Sequence, residues 1–189
     1  MSAQDANPHL DPRLALLRAR VRDIPDFPKP GILFRDLTPL MGDGATFKLT
    51  VEMLAERLSP HRPEIVVAVE SRGFIFGAPV ATVLGIGFVP VRKPGKLPFQ
   101  ITRRSYALEY GTDTLEMHAD AVVSGARVAI VDDLLATGGT AQATLELARE
   151  LGGKVAVAAF AVELRMLRGR ERLAGTQSES LQIESLIVY

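Results

Sequence analysis

The chain contains no cysteine. That excludes disulfide staples, zinc–thiolate centres and a cysteine nucleophile together. It has no excess of either charge, with 22 Lys plus Arg against 22 Asp plus Glu and a formal net charge of +0. Such a balance gives no global attraction to nucleic acid or to an anionic membrane, although a local basic patch stays open. There is no apolar run of about 18 residues, so nothing predicts a membrane-spanning helix. The opening "MSAQDANPHLDPR" has no apolar leader core. His9, His61 and His118 are scattered without ligand spacing. These absences predict a cytoplasmic protein with no membrane or nucleic-acid partner.

What is present is ordinary for a globular chain. Its 189 residues are 47% hydrophobic and 23% charged, which suits one domain (1–189) with a substantial core. Residues 1–10 are polar and read as a frayed start. "DPRLALLRARVRD" predicts a helix capped by Asp11, with Pro12 in its first turn and Leu14, Leu17 and Val21 on one face. Residues 24–40 carry Pro25, Pro28, Pro30 and Pro39 among apolar side chains, so they read as an irregular segment laid over the domain. "GATFKLTVEMLAERLS" is an amphipathic helix.

From Glu64 onward, short β-branched runs alternate with helical patterns. The runs are "EIVVAV", "GFVPV", "RVAIVD", "KVAVAAFAVEL" and "LQIESLIVY". The helices are "GFIFGAPVATVLG", with a kink expected at Pro79, and "TAQATLELARELGG", stopped by Gly152 and Gly153. Residues 92–118 interrupt the alternation with a basic, turn-rich loop, "RKPGKLPFQITRR". A hairpin within "SYALEYGTDTLEMH" follows, turning at Gly111 and Thr112. The pattern predicts an α/β fold: a mostly parallel twisted sheet flanked by helices on both faces, with a flexible loop and hairpin and a small N-terminal cap segment.

The strongest local signal is "VAIVDDLLATGGTAQAT", residues 128–144. A buried strand delivers Asp132 and Asp133 to the carboxyl end of the sheet, where ligands bind in open α/β folds. Ala136, Thr137, Gly138, Gly139 and Thr140 then lead into a helix. That helix start offers unpaired N–H groups and a partial positive charge, a natural seat for a phosphate. Acids would repel the same phosphate. They suit ribose hydroxyls, which donate hydrogen bonds, or a magnesium ion. The combined expectation is a sugar phosphate. No lysine follows the glycines as a P-loop requires, and the acids precede the glycines, unlike the dinucleotide fingerprint. The plain alternative is an ordinary turn. "VESRGF" offers a second anion seat at a helix start, built from Ser71, Arg72 and Gly73. "VRKPGKLP" gathers Arg92, Lys93 and Lys96, either a solvated basic loop or a cationic flap able to close over an anion. Phe34 in "GILFRD" could stack on a flat base or could belong to the core.

"VDDLLATGGT" resembles the phosphoribosyl pyrophosphate (PRPP) motif of the type I phosphoribosyltransferases, and its Asp-Asp form is similar to that of the adenine-specific branch. "FPKPGILFRD", "ESRGFIFGAP" and "VRKPGKLP…SYALEYG" resemble the same branch, so the likeness covers most of the chain from Ile24 to Leu164. The resemblance implies a glycosyltransferase (a pentosyltransferase) that converts adenine and PRPP to AMP and diphosphate, with Mg2+ carried by PRPP. It implies that Asp132, Asp133 and Ala136–Thr140 bind the ribose and 5′-phosphate. Pyrophosphate would fall to Ser71, Arg72, Gly73, Arg92, Lys93, Lys96 and Tyr110, often with a cis Glu70–Ser71 peptide. The backbone, not the Glu70 side chain, is expected to act there. Residues 92–118 become an active-site hood, with Arg92 reaching the partner's site in a homodimer. Adenine would lie among Leu33, Phe34, Arg35, Leu134 and Leu164, with Glu109 as general acid/base. The rival expectations are another purine as substrate, or a PRPP-sensing nucleic-acid regulator.

Overall fold

The computed structural model describes residues 11–107, 112–175 and 181–189. The chain divides into two units between Thr50 and Val51, inside one long helix. In the first unit, α1 (Pro12–Arg18) is capped by Asp11, whose carboxylate accepts the Arg13 N–H at 3.0 Å. The helix stops before Val21, shorter than its apolar spacing predicts, and β1 (Arg22–Pro25) begins directly after that residue. β1 pairs antiparallel with β2 (Leu33–Asp36), Ile24 opposite Phe34. Then come α2 (Thr38–Gly42) and α3 (Gly44–Leu58).

Residues 24–40 are therefore more regular than their prolines suggest. Pro25 ends β1, Pro28 and Pro30 lie in the connection, and Pro39 sits in the first turn of α2. Pro39 falls in a first helical turn, where proline's missing N–H goes unmissed, and Pro25 falls at a strand end, where proline is tolerated.

The second unit holds β3 (Ile65–Val69), α4 (Arg72–Leu84), β4 (Gly87–Val91), β5 (Ile101–Ala107), β6 (Thr112–His118), β7 (Arg127–Leu135), α5 (Gly139–Glu150), β8 (Lys154–Glu163), α6 (Gly169–Ala174) and β9 (Gln182–Val188). Five strands form one sheet in the order β4-β3-β7-β8-β9, every pair parallel. Near-continuous Val, Ala and Ile runs build it because both faces are covered.

α4 lies on the Val66 and Ala68 face, so closely that a side-chain carbon at Gly77 would stand 2.5 Å from the Ala68 Cβ. α5 buries Ala141, Leu145 and Ala148 in the cluster of the opposite face, with Val67, Ile130 and Phe160. Each large aliphatic or aromatic side chain so buried contributes about 1.5–3 kcal/mol. β5 and β6 pair antiparallel from Ile101↔His118 to Ala107↔Thr112. β5 thus starts four residues before Ser105. The run "ITRR", expected to be loop, is strand, and Arg103 lies opposite Glu116 with its guanidinium 3.6 Å from that carboxylate. Among the described residues no helix is long and apolar enough to cross a membrane.

Candidate active site

β3 stays beside β7 only as far as Ala68↔Val131, whereas β8 accompanies β7 to Leu135↔Glu163. Asp132 to Leu135 therefore overhang β3, and the acids lie inside the strand rather than just past its end. From β3 the chain moves outward to β4; from β7 it moves the other way to β8 and β9. β3 and β7 thus flank the switch point of the sheet, where crevices open in doubly wound folds. A cavity of about 390 Å³ occupies it. Ser71, Arg72 and Gly73 line one wall; Asp132, Asp133, Leu134 and the turn Ala136–Thr140 line the other. The two anion seats expected from sequence share one space.

The Glu70–Ser71 peptide is cis. Arg72 opens α4 and donates from Nε to Oδ2 of Asp133 at 2.5 Å. The Asp133 N–H donates to Oδ1 of Asp132 at 2.9 Å. Burial, reinforced by the Asp133 charge, pushes the Asp132 carboxyl well above the usual range. Gly73 is required by close approach: a side-chain carbon there would stand 2.7 Å from Oδ1 of Asp132. Two carboxylates share one guanidinium, so the pair is short of positive charge and of donors. Incoming hydroxyls or a cation would relieve that shortage.

The second seat is backbone. Gly138, at φ +80, caps the twelve-residue helix α5, a conformation glycine adopts without strain. The helix starts at Gly139, so Thr137 precedes it and Thr140 lies in its first turn. The Thr140 hydroxyl is 3.2 Å from that of Tyr106, which is 3.4 Å from Oδ2 of Asp113.

The basic loop is held by acids. Glu70, whose side chain is 8% exposed, accepts Arg92 Nε at 2.9 Å and the Lys93 N–H at 2.7 Å, and pairs with Lys96 Nζ at 2.9 Å. Burial alone would raise the Glu70 carboxyl, but Lys96, the Lys93 N–H and Arg92 outweigh it and hold the group below its usual range. The Glu70 side chain therefore has work of its own, contrary to the expectation that only backbone matters at this turn. Lys93 Nζ donates to Asp113 at 2.7 Å, and Glu116, 3% exposed, accepts the Gly95 N–H at 3.0 Å. Arg92, Lys93 and Lys96 do not line the cavity; they reach its rim through Glu70. Arg92 engages Glu70 of its own chain.

Of the residues expected around a base, Leu134 lines the cavity. Leu164 follows β8, half-buried, with its N–H on the Leu135 carbonyl at 2.9 Å. Leu33, Phe34 and Arg35 form β2 of the first unit. There Phe34 packs edge-on against Phe27, centroids 5.1 Å apart, and Arg35 pairs with Asp23. Glu109 and Tyr110 lie outside the described residues. Sequence reasoning missed Tyr106, Asp113, Glu116 and the side chain of Glu70. The position of Glu70, directly after a buried strand, was the one available signal. Among the described residues no three of His, Cys, Asp or Glu gather as a metal site.

Residues 43–184 match the family described as phosphoribosyl transferase domain. The adenine phosphoribosyltransferase of Carboxydothermus hydrogenoformans is 58% identical over 165 residues, covering 87% of this chain and 97% of that protein. The crystal structure of adenine phosphoribosyltransferase from Thermoanaerobacter pseudethanolicus superposes with TM-score 0.87 at 50% identity, covering 93% of this chain and 99% of that one. The Saccharomyces cerevisiae enzyme, crystallised with adenine and an imino-altritol bisphosphate, superposes with TM-score 0.84 at 36% identity, covering 93% and 98%. With that family matched over most of the chain and with relatives of this identity, this chain belongs to the type I phosphoribosyltransferase family.

Proposed function

We infer that this chain is a pentosyltransferase of purine salvage, converting adenine and PRPP to AMP and diphosphate in one step. The observation that carries the reading is the shared cavity: two anion seats on adjacent strands, with Asp132 and Asp133 between them. PRPP has that layout, a phosphate at each end of a sugar bearing two hydroxyls. The names of the similar enzymes support adenine as the acceptor.

In this reading the N–H groups and hydroxyls of Ala136–Thr140 bind the 5′-phosphate, and the two acids accept from the ribose hydroxyls. Ser71, Arg72 and Gly73 receive the pyrophosphate. The bond from C1 to the pyrophosphate oxygen breaks as C1 bonds to a ring nitrogen of adenine, whose proton passes to a base, so positive charge develops on the sugar while negative charge leaves. No protein nucleophile is needed. The protein holds both reactants in line and stabilises the leaving charge. Arg92, Lys93 and Lys96 supply further cations when the loop closes.

Magnesium fits this site as a companion of PRPP. The undercompensated pair Asp132 and Asp133 would lie near a metal carried by the substrate and offset its charge. When bound, the ion adds Lewis-acid stabilisation of the pyrophosphate. Adenine is assigned to Leu33, Phe34, Arg35, Leu134 and Leu164. Glu109 serves as the acid/base at the purine and Tyr110 helps order the hood. The family resemblance supports a homodimer in which Arg92 leaves Glu70 for the partner's site. PRPP is an intracellular metabolite, which assigns the reaction to the cytoplasm. Side-by-side turnover of adenine, hypoxanthine, guanine and xanthine with PRPP and magnesium tests the reading: AMP from adenine is expected, and turnover of an oxopurine alone would overturn it.

A further inference from the structure

Glu163, α6 and β9 have no part in the chemistry above, yet the start of α6 lies directly behind the turn assigned to the 5′-phosphate. Gly169, the first residue of α6, meets that turn backbone to backbone. A side-chain carbon at 169 would stand 2.3 Å from the Ala136 carbonyl oxygen and 3.0 Å from the Gly138 nitrogen. Conversely, one at Gly138 would stand 2.8 Å from the Gly169 carbonyl oxygen. These are backbone atoms of a tight turn, which cannot swing aside as the end of a side chain can. The peptide planes they belong to decide where the N–H groups of Thr137 and Gly138 point.

α6 is itself pinned on two sides. The Arg170 guanidinium grips Glu163 with a fork, Nε to Oε1 at 3.0 Å and Nη2 to Oε2 at 2.6 Å, and its Nη1 donates to the Ile183 carbonyl at 2.7 Å. The Ser185 hydroxyl donates to the same Glu163 carboxylate at 2.6 Å. Glu163 is 2% exposed. Burial would raise its carboxyl, but Arg170 and Ser185 outweigh burial and hold it below its usual range. Toward the helix, Arg172 Nε donates to Gln142 of α5 at 2.6 Å. A forked arginine pair on a buried carboxylate demands one geometry, and lysine cannot reproduce it.

We propose that Gly169 and Arg170 are positioning residues for the 5′-phosphate turn: Arg170, locked on Glu163, sets α6, and Gly169 holds the turn in its binding conformation from behind. This rests on the assignment of the 5′-phosphate to Ala136–Thr140. It makes the affinity for phosphorylated sugar depend on residues that never touch the ligand, and it leaves the pyrophosphate seat on β3 independent of them.

Calorimetric titration of the full chain with AMP and, separately, with pyrophosphate tests the proposal, alongside thermal melts and PRPP kinetics. Gly169→Ala is expected to weaken AMP about tenfold or more, because small displacements of a preorganised site are costly. Pyrophosphate affinity should be little changed, and the PRPP defect should appear in KM more than in kcat. Arg170→Lys should show the same selectivity with a smaller loss, and it carries the test alone if Gly169→Ala does not fold. Unchanged AMP affinity in a folded variant, or equal weakening of both ligands, would overturn the positioning role. A Thr137→Val, Thr140→Val double variant that leaves AMP binding intact would instead overturn the assignment of the turn.

Discussion

The two anion seats at the end of the sheet are built by opposite means. The turn after β7 has no cation among residues 136–140 and offers backbone N–H groups, the Thr137 and Thr140 hydroxyls, a positive-φ glycine and a helix start. The turn after β3 and the loop beyond it work through charge, and each of their cations rests on a carboxylate: Arg72 on Asp133, Arg92 and Lys96 on Glu70, Lys93 on Asp113. The first seat is fixed before its ligand arrives, so little reorganisation is needed at binding. Under the proposed assignment the second exchanges its internal partners for pyrophosphate, which lowers affinity but also offers a way to let the product go. A group that stays bound through the reaction suits the first construction, and a leaving group suits the second.

The largest effect that bears on this contrast is expected at the hinge between the seats. Asp133→Asn keeps the shape and an acceptor for Arg72 but removes a charge from the ribose acids. A loss of about 10²–10³ in kcat/KM for PRPP is expected, with the melting temperature nearly unchanged. Steady-state kinetics and a thermal melt check it; intact kinetics would remove the ribose assignment.

A smaller effect is expected at Glu70. Glu70→Gln keeps an oxygen for the Lys93 N–H while removing the charge that competes for Arg92 and Lys96. Pyrophosphate should bind tighter by about 1 kcal/mol, several-fold, as measured by calorimetry. Weaker binding would mean that Glu70 aims these cations rather than restraining them.

The smallest effect concerns acid. Glu70 and Asp113 are both held below the usual carboxylate range in the folded chain, Glu70 by its cationic partners against the cost of burial and Asp113 first by Lys93. A lowered folded pKa contributes stability that is complete above the unfolded-state value and is lost as pH falls through the folded one. The melting temperature should therefore drop across that acidic window, and less steeply in Glu70→Gln. Equal slopes would show that Glu70 carries no such linkage.

The β7 seat and the turn of the β3 seat were legible in the sequence; the carboxylates that hold the β3 seat's cations were not. Continuous β-branched runs announce buried parallel strands, and glycines beside hydroxyls before a helix announce an anion turn; both are local signals. The long-range pairs left none. Glu70 meets Arg92 from 22 residues away, and Glu163 meets Ser185 across the same distance. The α6 segment "GRERLA" has almost no apolar periodicity, so nothing marked it as a brace. Arg103 and Arg104 disguised the start of β5, because charged residues on a hairpin exposed to solvent look like loop until the opposite strand is known. The prolines of residues 24–40 hid the β1–β2 pairing for a related reason: each stands where its own element can spare an N–H.

The central claim is that the two ends of PRPP are held by separate seats of different construction. The most direct measurement is a crossed titration of AMP and pyrophosphate into Arg72→Ala and into the Thr137→Val, Thr140→Val double variant. Losing a charge-assisted contact costs about 1.5–3 kcal/mol, roughly tenfold or more. Arg72→Ala should lose pyrophosphate affinity by that much and AMP affinity by less, through Asp133 alone, whereas the threonine variant should lose AMP and keep pyrophosphate. If both variants weaken the same ligand to the same extent, the division between the seats is contradicted.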